Sequence, residues 1–188
     1  LHYSGVVNAT MQVISTEQAV GGEVSVTTAT YSDNFTVTVN QVVDAPAMTV
    51  VDAVEGASGQ EDTIIPLVVD VRLVDNDGSE VLGTVNIAGI PSGASIVDSS
   101  GAPLGTLNGD GSVTVTTAQL PQLHIMPPNN FNGDFQLTIS ASTTESVQGL
   151  SGDNTTAIGT ATLDVHVIGV ADPANIAPVL LSATEDQV

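Results

Sequence analysis

The chain has 188 residues, with 21 Asp and Glu against a single Arg or Lys, Arg72, and no cysteine. A formal net charge of −20 excludes a binder of phosphate backbones or anionic membrane surfaces, and the lack of cysteine excludes disulfides as a source of stability. The abundance of valine, isoleucine, leucine and threonine argues against disorder.

Taken in chain order, the first strand signal is Phe35, Val37 and Val39 alternating with Thr36 and Thr38. Ile65, Leu67, Val69, Val71 and Leu73 form the next inward series, with a single helical turn near residues 70–75 as the alternative. Turn signals follow at Asn76-Asp77-Gly78, Pro91-Ser92-Gly93, Asn108-Gly109-Asp110-Gly111 and Pro127-Pro128-Asn129-Asn130. Phe135, Leu137, Ile139 and Ala141 then alternate with polar residues, as do Leu163, Val165 and Val167. This period of two predicts an all-β fold of half-buried antiparallel strands, arranged as a Greek-key β-sandwich of roughly seven strands. No apolar run reaches the roughly 18 residues of a membrane span. No leader pattern is visible either, so the sequence reads as the interior of a longer chain.

The chain also repeats itself. At an offset of 128 positions Tyr3-Ser4-Gly5 lies over Phe131-Asn132-Gly133, Thr16-Glu17 over Thr144-Glu145, Val37 over Val165, Val39 over Val167 and Asp44 over Asp172. Glu61-Asp62 echoes at Glu185-Asp186 with a spacing of 124, the change falling where a linker would vary. A period this long means tandem domains rather than a solenoid. Residues 1–44 are then the C-terminal part of one repeat, residues 45–172 a complete repeat, and residues 173–188 the start of a third. Residues 1–44 hold too few strands to close a sandwich alone.

With the repeat cut this way, a set of motifs falls in order: Glu61-Asp62-Thr63, Asp75-Asn76-Asp77-Gly78-Ser79-Glu80, Ile90-Pro91-Ser92-Gly93-Ala94, Asn108-Gly109-Asp110-Gly111-Ser112, Pro127-Pro128-Asn129-Asn130-Phe131-Asn132-Gly133 and Val170-Ala171-Asp172-Pro173. The chain resembles the cadherin-like or immunoglobulin-like tandem repeats of giant bacterial RTX adhesins and biofilm-associated surface proteins. That resemblance implies an extracellular rod on a Gram-negative cell surface, exported by type I secretion and stiffened by calcium at its repeat junctions. The partners it implies are neighbouring repeats of the same chain, with any host or surface ligand held by another domain.

The carboxylates are the candidate ligands, because Ca²⁺ takes about six to eight hard oxygens at flexible geometry. Asp75-Asn76-Asp77-Gly78-Ser79-Glu80 offers three of them and an amide oxygen within one turn, without the spacing of an EF-hand; a polar β-turn is the plainer reading. A second cluster is expected across the junction, where Glu61 and Asp62 open the next repeat as candidate ligands and Glu17, Asp44, Glu61, Asp75 and Asp77 would surround one or two ions. Glu145, Asp172, Glu185 and Asp186 would repeat it at the next junction. Asp110 reads as a turn residue.

No catalytic signature is present: no Gly-x-Ser-x-Gly, His-Glu-x-x-His, P-loop or Rossmann pattern, and His2, His124 and His166 have no zinc spacing. Three Phe, two Tyr and no Trp supply a sugar-stacking cleft poorly. The expectation is therefore a non-enzymatic extender module. The alternative is a glycan- or peptide-binding adhesion domain.

Overall fold

The computed structural model describes residues 5–18, 21, 26–40, 42–50, 57–75, 78–145, 155–174 and 185. Two long hairpins dominate it. Strands β1 (Gly5–Gln18) and β2 (Val26–Val39) pair antiparallel along their whole length as a two-stranded sheet. Near the other end of the chain β12 (Gly133–Glu145) and β13 (Thr155–Ile168) do the same inside a larger sheet. Threonine and valine supply both, since β-branched side chains fit a pleated surface with little loss of rotamer freedom.

Between the hairpins lie shorter strands: β3 (Ala47–Val50), β4 (Ala57–Gln60), β5 (Ile65–Pro66), β6 (Val69–Arg72), β7 (Glu80–Ala88), β8 (Ser95–Val97), β9 (Thr106–Leu107), β10 (Val113–Val115) and β11 (His124–Met126). The main sheet has the order β4-β13-β12-β7-β10-β9, in which only β4 and β13 run parallel. A three-stranded sheet β5-β11-β8 and the pair β3-β6, both antiparallel, complete the set. The chain is thus all-β among its described residues, as predicted.

One core joins these three sheets. Leu137, Ile139, Leu163 and Val165 from the last hairpin meet Ile65, Ile125, Val85 and Ile87, all at most 1 % exposed. Burying each such side chain contributes about 1.5–3 kcal/mol. The inward series read from the sequence holds for Ile65, Leu67, Val69 and Val71, which are buried, while Leu73 is half-buried. The helical turn allowed near residues 70–75 is not formed; Val69 and Val71 alternate inward on β6 instead. The one helical element among the described residues is a 3-10 turn, Thr117–Gln122, which drops Leu120 into the core. Gln119 closes its first turn by accepting from the Thr116 amide at 2.8 Å.

Candidate metal centre

The site forms where β7 begins and β12 ends. Along β12 the inward residues are Leu137, Ile139, Ala141, Thr143 and Glu145, so strict alternation carries a carboxylate onto the core face. On β7 the buried residues are Glu80, Val85 and Ile87, which break parity. A register irregularity opposite Ala141 and Thr143 absorbs the odd residue. Gly83 sits at that irregularity, where a Cβ would come within 2.5 Å of the Ser142 hydroxyl oxygen. The bulge turns Glu80 inward and makes it the direct cross-strand partner of Glu145.

Glu80 is 6 % exposed and Glu145 is 3 % exposed. Like charges directly opposite on a sheet repel, and a buried charge is costly unless it is compensated. The Asp44 amide donates to Glu80 Oε1 at 2.9 Å, and the Ser79 hydroxyl stands 3.5 Å from Glu145 Oε1. Glu80 Oε2 and the hydroxyl of fully buried Thr143 have no hydrogen-bond partner among the described residues. The only arginine cannot help: the Arg72 side chain is 76 % exposed and bonds Asp70 at 2.6 Å. The donor set is all oxygen: two carboxylates, the Ser79 hydroxyl just before β7, and Thr143 two residues before Glu145 on the same inward face of β12. Such a set suits a hard divalent cation rather than zinc. Among the described residues no group of three or more His, Asp or Glu gathers to hold a metal.

The remaining predicted ligands sort into two ends of the structure. Asp44 joins Glu80 through its backbone, and half-buried Asp75 lies five residues before Glu80 in the chain. Glu61 and Asp62 belong to the opposite end. Parallel pairing of β4 with the last residues of β13 places them there: the Glu61 amide donates to Ile168 O at 2.9 Å, and Glu61 Oε1 accepts from the Val170 amide at 2.5 Å. Asp62, at φ +58°, accepts from the Asn130 amide at 2.9 Å. Asp172 follows there, exposed. Glu185 is exposed, and Asp77 and Asp186 lie outside the described residues.

This sorting corrects the expected groupings. Glu145 pairs with Thr155, the first residue of 14-residue β13, and Asp172 lies beyond its last, so more than about 40 Å of strand separates them. Glu17 likewise pairs with Thr27 near the start of β2, far from Asp44 beyond that strand's end, and Glu17 is exposed. The expected clusters overlooked the fact that an antiparallel hairpin puts the last residues of its first strand furthest from its exit. Thr143 was missed, although continuing the alternation past Ala141 reaches it. Asp110 is a turn residue as read, accepting from the hydroxyl and amide of Ser112 at 2.7 and 3.0 Å. The Ser112 hydroxyl, then its amide, hold the Asp110 carboxyl below the usual carboxylate range. Asp98 is held low in the same way, first by the Ser100 hydroxyl and then by the amides of Ser100 and Ala102.

No family model, curated protein or solved structure matches this chain. Among the described residues, no helix is long and apolar enough to cross a membrane.

Proposed function

We propose that residues 45–172 are a Greek-key, cadherin-like β-sandwich repeat that serves as a non-enzymatic extender in an extracellular bacterial adhesin, with Ca²⁺ fixing one repeat against the next. The observation that carries this reading is the buried, in-register pair Glu80 and Glu145, in a chain whose only arginine lies exposed elsewhere. A divalent cation offsets both charges at once and takes the surrounding hydroxyl oxygens as further ligands. The sorted acids suit a head-to-tail array. Glu61, Asp62 and Asp172 lie toward one end of the repeat and Glu80, Glu145 and Asp44 toward the other, so each junction would bring the two acidic ends of successive repeats together. Without the cation they repel and the junction flexes; with it they are bridged.

The test is calorimetric titration of the metal-free chain with Ca²⁺, repeated with Mg²⁺, together with melting curves in Ca²⁺ and in chelator. At a free Ca²⁺ of about 100 times Kd the folded state gains ~2.7 kcal/mol, which raises Tm by roughly 5–10 °C for a chain of this size. The absence of both a heat of binding and a Tm shift would sink the proposal. So would binding that survives Glu80→Gln with Glu145→Gln.

A further inference from the structure

The first hairpin repeats the last one strand for strand. Gly5 pairs with Val39 as Gly133 pairs with Val167, and Glu17 with Thr27 as Glu145 with Thr155, every position displaced by the same 128 residues as in the sequence. Even the backbone of the opening glycine agrees, with φ +140° at Gly5 and +130° at Gly133. Their outer faces correspond too. Thr36 donates to Asn8 at 3.1 Å across β1 and β2, where Gln136 donates to Asp164 at 2.8 Å across β12 and β13.

The inner faces carry different residues at several steps, Asp33 standing where Ala161 does and Tyr31 where Gly159 does, but their apolar positions differ most in what covers them. Met11 is 53 % exposed where its counterpart Ile139 is 0 %, Phe35 is 51 % where Leu163 is 0 %, and Val37 is 44 % where Val165 is 1 %. Over β12 and β13 the cover is the strand set from β4 to β11, with β7 paired antiparallel to β12 and β4 parallel to β13. Among the described residues no further strand pairs with the outer edges of β1 and β2, whose sheet has two members.

We infer that the face of Val7, Met11, Val13, Phe35 and Val37 is a docking surface for a separate strand set built like β4 to β11, lying outside these 188 residues. It would add one antiparallel strand beside β1 and one parallel strand beside β2, and would bring a carboxylate opposite Glu17 as Glu80 stands opposite Glu145. A second copy of this chain is a poor occupant. Its own strand set is already closed by β12 and β13, and a net charge of −20 on each copy opposes association. The partner differs from β4 to β11 and the segment before them in one respect. The Pro46 carbonyl crosses β13 at Gly159, within 2.7 Å of where a Cβ would stand, whereas the matching residue of β2 is Tyr31. The partner must therefore leave room above Tyr31. This inference rests on register and burial and is independent of the calcium reading.

The test extends the chain at its start with a copy of residues 45–128, which keeps the 128-residue phase, and carries Tyr31→Gly to clear the crossing. Hydrogen exchange of the amides of β1 and β2 is expected to slow by 100-fold or more relative to the 188-residue chain, which should itself sediment as a monomer with fast exchange there. The protein has no cysteine, so a second readout is clean. Val13→Cys should form a disulfide with Val85→Cys in the added segment, as Ala141 stands opposite Val85, while Ile14→Cys on the outer face should not. Unchanged exchange with no disulfide overturns the inference. So does a dimer of the 188-residue chain in which β1 and β2 are already protected.

Discussion

The two long hairpins share a register, a face pattern and an opening glycine, yet among the described residues one is the wall of a core and the other is an exposed ribbon. Their difference separates two links that are often run together. Strand pairing follows from local alternation and is complete in both. Stabilisation follows from what packs on the inward face, and a two-stranded ribbon without such packing is marginal in water. The same substitution made in each hairpin should therefore have very different consequences.

The largest contrast lies in the core. Ile139→Ala removes a fully buried side chain and should cost about 2–5 kcal/mol in urea or thermal unfolding. Met11→Ala, its counterpart, should stay within about 0.5 kcal/mol. Equal losses would mean that the first hairpin is packed in solution and would break the comparison. The acidic ends sharpen it next. Glu145→Gln should remove most of the ~2.7 kcal/mol that saturating Ca²⁺ adds, and in chelator it should stabilise the chain by relieving the repulsion with Glu80. Glu17→Gln should change neither melting curve, because Glu17 is exposed and its cross-strand partner is Thr27.

A smaller effect sits at Gly159. A methyl there meets the Pro46 carbonyl and the Met48 sulfur, so Gly159→Ala should cost about 1–3 kcal/mol, read as a lower urea midpoint at unchanged slope. Tyr31→Ala, at the same step of the other ribbon, should cost almost nothing. These paired positions also show what was legible beforehand. Alternation alone placed Leu137, Ile139, Leu163 and Val165 inward, and carried two steps further it reaches Thr143 and Glu145. The repeat offset lays the two segments over one another, and the register they share is the structure's addition. Glu80 was named as a ligand, but its inward turn was hidden, because a bulge at Gly83 flips the parity of β7 and no pattern of period two survives that. The grouping of acids failed for a different reason. It treated nearness to a repeat boundary in sequence as nearness in space, whereas Glu61 is carried to the far end by its parallel pairing beside β13.

The smallest effect is acid sensitivity, and it belongs to the turns rather than to either ribbon. Asp98 accepts from Ser100 and Ala102, and Asp110 from Ser112, and these donors favour the ionised carboxylates. A carboxylate whose value is lower when folded than when unfolded stabilises the fold above its unfolded value. That contribution fades as pH falls through the folded value. The window therefore lies below about pH 4, where ordinary aspartates protonate. Amide exchange at Ser100, Ala102 and Ser112, corrected for intrinsic pH dependence, should speed up there while β12 and β13 stay protected. Asp110 is exposed and Asp98 half-buried, both in surface turns, so the effect should remain local and leave the global melting curve nearly unmoved. If β12 lost protection over the same window, acid sensitivity would not be confined to the turns, and the contrast between turns and hairpins would have to be redrawn.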